Sequence, residues 1–394
     1  MLTKQIKNFS SDIVDEVISL RRTIHKNPEL GFKEFKTAKL VAKYLKDLGL
    51  KVSEGIAGTG VTGLLEGNFP GKTIAIRSDM DALPITEENN LPYKSSNSGI
   101  MHACGHDVHT SIALGTANIL SKFKSRIKGN VKFIFQPAEE GLGGAKIMID
   151  EGVLASPKVD AIIALHIAPG HKAGQISISS GPVMASPSEF KLEIKGSGGH
   201  AAEPQKTVDP IVIGANIINL FQNIISRNKS PLESAVLSVT SFQSGNAYNI
   251  IPSTATIKGT VRTFNPSLDE KISKRMLEIV SSVAKAMGAE YSFKYDKGYP
   301  PVVNNEEIVN LIVNASSKVI DKENLLLNKQ ASMLAEDFSY YLNEISGALF
   351  NLGSSSSNCN NLQNLHSSKL IVDESCIMTG IELFSQTAMD FLST

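Results

Sequence analysis

Apolar positions recur with helical spacing through residues 11–25 and 36–48, which predicts two amphipathic helices early in the chain. Three apolar runs of strand length follow, over 72–77, 131–136 and 161–167. Residues 109–124 and 143–151 between them carry helical patterns again. Strand and helix in alternation predict an α/β layer, in which ligands gather at strand ends. Asp79, Glu139, Glu140 and His166 each fall at, or just past, the end of a predicted strand.

The pattern changes near Met184. Strands predicted over 188–195, 234–243, 254–264 and 289–295 interleave with helices over 209–226 and 268–287. That order, β-α-β-β-α-β, is a ferredoxin-like split unit. Gly298-Tyr299-Pro300-Pro301 then marks a return to helix and strand. The expected organisation is a discontinuous catalytic domain, residues 1–183 and 298–394, with a small α+β domain inserted over 184–297. The serine run at 354–357 is expected to be a loop.

A chain of 394 residues is long for one core, which agrees with two domains. Lys plus Arg and Asp plus Glu both total 39, so no net field draws the protein to nucleic acid or an anionic membrane. A small or locally charged substrate fits better than a polyanion. The first 22 residues mix charge with apolar positions and read as an amphipathic helix of the fold, not a signal peptide. No run of 18 apolar residues predicts a membrane span. Three cysteines (Cys104, Cys359 and Cys376) argue against a disulfide framework, and the cytoplasm is the expected compartment.

The chemistry is concentrated in two stretches. His102-Ala103-Cys104-Gly105-His106-Asp107-Val108-His109 holds three of the eight histidines and one of the three cysteines. Thirty residues on, Gln136-Pro137-Ala138-Glu139-Glu140 sets paired carboxylates after an apolar strand. Thiol and imidazole beside a spare carboxylate are the parts of a hydrolytic metal site. In extended backbone Cys104 and His106 face one way, so both can reach one ion. Glu139 and Glu140 would then face opposite ways, one as ligand and one as general base. His166 alone reads as a core histidine, and only its company promotes it. Asp79 and Asp81, and Glu336 and Asp337, are candidates to orient ligands.

The chain resembles the amidohydrolase branch of the aminoacylase and carboxypeptidase-type dinuclear metallopeptidases. Eight ordered blocks carry the resemblance: residues 21–34, 77–88, 99–111, 135–146, 196–204, 249–264, 333–342 and 364–370. It implies an α/β catalytic domain with a mixed sheet and flanking helices, plus the inserted ferredoxin-like domain as a lid or dimerisation module. It implies that Cys104, His106, Glu140, His166 and His366 bind two divalent ions (zinc, manganese, cobalt or nickel), with Cys104 as the bridging thiolate. Glu139 would be the general base and Asp79 the acidic residue supporting the centre. His200 would reach a partner subunit's site to hold the oxyanion, which makes the protein a homodimer or higher homo-oligomer. Asn249 and Arg262 would bind the substrate carbonyl and carboxylate. Gln205 stands where many relatives have histidine, while His25, His102 and His109 read as structural. The implied activity is hydrolysis of N-acyl-L-amino acids, with dipeptidase or carboxypeptidase cleavage, N-acetyldiaminopimelate deacetylation or a catalytically silent metal-binding protein as alternatives.

Overall fold

The computed structural model describes residues 1–328, 330–356 and 364–393. In chain order, α1 (Leu2–Lys26), α2 (Phe35–Asp47), β1 (Lys51–Ile56), β2 (Gly60–Glu66) and β3 (Phe69–Asp79) lead to α3 (His106–Ser121). Next come β4 (Lys128–Gln136), α4 (Gly144–Asp150), β5 (Ala161–Lys172), β6 (Ile176–Ile178) and β7 (Gly181–Met184). A second series runs β8 (Ser186–Lys195), β9 (Gly199–His200), α5 (Pro210–Arg227), β10 (Ala235–Gln243), β11 (Ile250–Ile251), β12 (Thr254–Thr263), α6 (Pro266–Ala286) and β13 (Glu290–Lys297). The chain returns through β14 (Val302–Asn304), α7 (Glu306–Val319), β15 (Leu325–Leu327), α8 (Ser339–Glu344), β16 (Gly347–Ser355) and α9 (Cys376–Phe391).

Two compact units result. The first comprises Met1–Gly181, Val303–Gln330 and Asp337–Thr394, and the second Pro182–Val302 with Ala331–Glu336. Residues 331–336 therefore depart from the expected division. Backbone pairing explains it: Ser332 N–H donates to Val183 and Ala185 N–H donates to Leu334.

The first unit is built on an eight-stranded mixed sheet, in the order β1-β2-β4-β3-β5-β16-β6-β15 among the described residues. Its middle strands β4, β3, β5 and β16 run parallel. They are buried almost continuously from Thr73, Val131 and Ala161 onward, as expected of a parallel sheet covered on both faces. Helix α3 is buried along nearly its whole length and packs against α1 and α9. Gly115 permits the approach to α9, because a Cβ there would lie 2.6 Å from Ile381 Cδ1. Each large aliphatic chain buried in this layer contributes about 1.5–3 kcal/mol.

The second unit is a four-stranded antiparallel sheet in the order β10-β12-β8-β13, crossed by α5 and α6. Its core gathers Phe190, Leu192, Ile213, Ile217, Phe221, Ile257 and Met276. The three α5 members recur at intervals of four, which gives the helix one apolar stripe. Asp209 caps that helix by accepting Ile211 N–H at 2.8 Å, and Pro210 occupies its first turn.

Some boundaries differ from those expected, β3 (Phe69–Asp79) and α3 (His106–Ser121) among them. Helix α1 begins at Leu2, as the reading of the first 22 residues as a helix expects and ahead of the 11–25 periodicity, because its apolar positions continue through Ile6. Strand β5 runs to Lys172, so His166 lies within it. Ser354 and Ser355 end β16 rather than forming a loop, and Ser357 lies outside the described residues. Cys104 and Cys376 are free buried thiols, while Cys359 lies outside the described residues. Among the described residues no helix is long and apolar enough to cross a membrane.

Candidate metal centre

The turn before α3 aims the first two donors. Gly105 takes φ +85°, and a Cβ there would lie 2.2 Å from Ile167 Cδ1, so conformation and space both demand glycine. His106 opens the helix fully buried, with Nδ1 facing Asp81 Oδ1 at 3.2 Å. That contact leaves Nε2 as the atom a ligand role would use. Nε2 is buried with no hydrogen-bond partner among the described residues, at 4.0 Å from one oxygen each of Glu139 and Glu140. Burial opposes a charged His106 ring, yet Asp79 and Cys104 raise its pKa well above the usual value.

The carboxylates converge instead of alternating. Strand β4 ends at Gln136, and Ala138 adopts φ +56°, so the loop no longer follows a strand's two-residue period. Two buried acids hold this loop in place. Glu34 Oε1 accepts Ala138 N–H at 2.9 Å, and its other oxygen accepts Thr59 Oγ1. Asp81 Oδ2 accepts Glu140 N–H at 3.0 Å while its partner oxygen faces His106. Asp81 thus orients a histidine and a glutamate of the centre together. The sequence reading passed over Glu34, although it closes the 21–34 block as an acid directly before a helix.

The remaining donors come from the middle of β5 and from a turn near the end of the chain. His166 Nδ1 donates to Ile167 C=O at 2.8 Å, which leaves Nε2 bare and 3.4 Å from Cys104 Sγ. Burial lowers the His166 pKa to about 3, so the ring is neutral and able to serve as a ligand. Burial also pushes the Cys104 thiol well above its ordinary pKa. His366 sits at φ +63°, a strained conformation for histidine, with its N–H donating to Ala103 C=O at 2.8 Å. Its Nε2 is 3.2 Å from Glu140 Oε1. Against the cost of burial, His366 and His106 keep the Glu140 pKa below the carboxylate range, and Glu140 raises that of His366.

Donor atoms within 4.8 Å of one another form the sets Cys104–His106–His166, Cys104–Glu140–His366 and His106–Glu139–Glu140. Two of these share the Cys104 sulfur. The His106 Nε2, buried without a hydrogen-bond partner among the described residues, is what a cation would satisfy. Thiol, imidazole and carboxylate together fit a borderline divalent ion. Asp79 is already occupied: Arg77 Nη1 meets Oδ2 at 2.7 Å and His109 Nδ1 meets Oδ1 at 2.6 Å.

The second unit holds the other predicted residues. His200 is exposed on β9, opposite Ile250 of β11, and its Nδ1 accepts Ala202 N–H at 3.1 Å. The neutral ring therefore carries its proton on Nε2. Asn249 is exposed, and Gln205 is exposed in a short 3₁₀ turn. Arg262, on β12, is partly buried with no salt bridge among the described residues, and burial lowers its pKa. A cavity of about 600 Å³ is lined by Gly198, Gly199, Gln243, Gly245, Ile250 and Thr254, chain neighbours of His200 and Asn249.

Residues 75–390 match the model of peptidase family M20/M25/M40. The chain belongs to that family and is a hydrolase acting on amide bonds. It is 40% identical to thermostable carboxypeptidase 2 of Saccharolobus solfataricus, over 99% of both chains. It is 44% identical to the N-acyl-L-amino acid amidohydrolase of Geobacillus stearothermophilus, over 78% of this chain and 83% of the relative. Among solved structures, the YxeP protein of Bacillus subtilis, described as a dinuclear metal-binding peptidase of the M20 family, superposes with a TM-score of 0.83 at 33% identity. That match covers 98% of this chain and 99% of the other.

Proposed function

We propose that the protein hydrolyses N-acyl-L-amino acids at a centre of two divalent ions, held by Cys104, His106, Glu140, His166 and His366. The observation that carries this reading is the pair of donor triads sharing one sulfur, with Glu139 beside them as a carboxylate outside both. Ions bound there would supply Lewis acidity, making a water acidic enough to ionise near neutral pH and polarising the substrate carbonyl. Glu139 takes the proton from the attacking water and delivers it to the departing amine. Asp79, Asp81 and Glu34 hold the centre's shape. The same class of reaction is named for the Geobacillus relative, and N-acetylcysteine deacetylases of Bacillus subtilis align over nearly the whole chain.

In this reading His200 donates its Nε2–H to the oxyanion, which the Ala202 contact on Nδ1 leaves available. Asn249 and Arg262 would take the substrate carbonyl and carboxylate, and the second unit would supply them within a homodimer. His200→Ala should then lower kcat by about 10²–10³-fold. Mixed dimers of His200→Ala with Glu139→Gln subunits should regain activity. Failure of that complementation would argue that His200 serves its own chain's site or none.

The Saccharolobus relative's name favours a second reading, release of a C-terminal residue from a peptide. Both are tested by stripping the protein with chelator and restoring Zn²⁺, Mn²⁺, Co²⁺ or Ni²⁺ separately. N-acetyl, N-benzoyl and dipeptide substrates are then compared by release of free amino acid. Metal-restored turnover of one acyl series is the expected result. Cleavage of dipeptides alone would move the protein to the peptidase reading, and silence under every metal would sink both.

A further inference from the structure

We propose that His109, whose two ring nitrogens are both hydrogen-bonded within the protein, is the positioning residue for the ligand His166 and acts through the backbone of Ile167. This rests on the dinuclear reading above. Strand β3 pairs with β5 only as far as Arg77 opposite Ala164. Beyond that ladder's end, Ile167 N–H donates to His109 Nε2 at 2.9 Å. A ring nitrogen that accepts a hydrogen bond carries no proton, so the neutral His109 ring holds its proton on Nδ1. Nδ1 lies 2.6 Å from Asp79 Oδ1 and donates to it. Both ring nitrogens are therefore committed, which excludes His109 as a ligand.

Ile167 is gripped on its other side as well, because its carbonyl accepts His166 Nδ1–H at 2.8 Å. One residue's N–H is thus fixed by a histidine that binds no metal, while its C=O fixes the ring of one that does. The two rings also pack edge to face, with centroids 4.7 Å apart and planes at 66°. Behind them stands a buried anchor. Arg77 Nη1 donates to Asp79, Nη2 to Asp337 at 2.9 Å and Nε to Gln136 at 2.9 Å. Arg77, Asp79, His109 and Asp337 are each at most 1% exposed, so water cannot replace a lost partner. The chain of bonds fixes His109's tautomer, then the Ile167 peptide, then the direction of His166 Nε2.

The test titrates metal-free full-length wild type, His109→Asn and His109→Gln with Co²⁺ alone. Thiolate-to-cobalt absorption and calorimetry give stoichiometry and both Kd values. Glutamine can offer an acceptor near the Nε2 position, whereas asparagine reaches only towards Asp79. His109→Asn should weaken one of the two sites about 10–100-fold, leave the other unchanged and lose more than His109→Gln. Wild-type Kd values in both variants, or equal loss at both sites, would overturn the proposal. If wild type itself binds a single ion, the dinuclear reading fails instead. His109 is then judged on that one affinity, where a drop supports positioning and no change refutes it. Should the variants fail to fold, ¹⁵N imidazole spectra of metal-free wild type still decide. An Nδ1–H tautomer at His109 and His166 is expected, and Nε2–H at His109 would overturn it.

Discussion

Glu139→Gln is expected to lower kcat by about 10²–10⁴-fold, the usual contribution of a positioned general base, while the bound metal stays at the wild-type level. Glutamine keeps the size of the side chain and one acceptor oxygen but cannot take a proton. Glu139 is nearly buried, with an oxygen 4.0 Å from His106 Nε2, and it lies outside both donor sets that share Cys104. Elemental analysis beside steady-state kinetics checks the two halves separately. Activity near that of wild type would remove Glu139 as the base. Lost metal would make it a ligand instead.

Cys104→Ser should act on metal first and rate second. Both donor triads use this sulfur, so one substitution would reach both ions of the proposed centre. Serine offers a neutral hydroxyl in place of a thiolate, a far poorer ligand for a borderline ion. Affinity for both ions should fall by more than the roughly 10–100-fold cost of losing a supporting residue. Because burial holds Cys104 as a thiol without metal, loading must displace its proton, and wild-type affinity should rise with pH. Calorimetric titration at several pH values checks both statements. Unchanged stoichiometry and affinity in the serine variant would exclude the bridge.

Much of the architecture was legible because period and length separate the two kinds of sheet. The buried parallel strands read as unbroken apolar runs, and the second unit alternates strand and helix in one recognisable order. The residues that gather as candidate donors stood out in the sequence through their rarity and clustering. What pattern could not reveal was geometry set by single dihedrals and long-range bonds. Opposed directions for Glu139 and Glu140 follow from strand periodicity, and the positive φ of Ala138 cancels that. Asp79 and Asp81 look equivalent in sequence, yet Asp81 meets His106 and the Glu140 N–H, while Asp79 meets Arg77 and His109. Residues 331–336 carry no pattern of their own, since their place follows from pairing with residues 183 and 185, almost 150 positions earlier in the sequence.

That last pairing bears on how such a chain can be rearranged by evolution or by gene cutting. An inserted domain bounded by one entry and one exit could be gained or deleted as a cassette. Here the second unit draws on two separate stretches, Pro182–Val302 and Ala331–Glu336. A gene fragment spanning the first stretch alone would leave the Val183 carbonyl and the Ala185 N–H without the partners they find in Ser332 and Leu334. The two units are modular in their cores but interwoven in their genetics, and a shuffling event has to respect both seams at once.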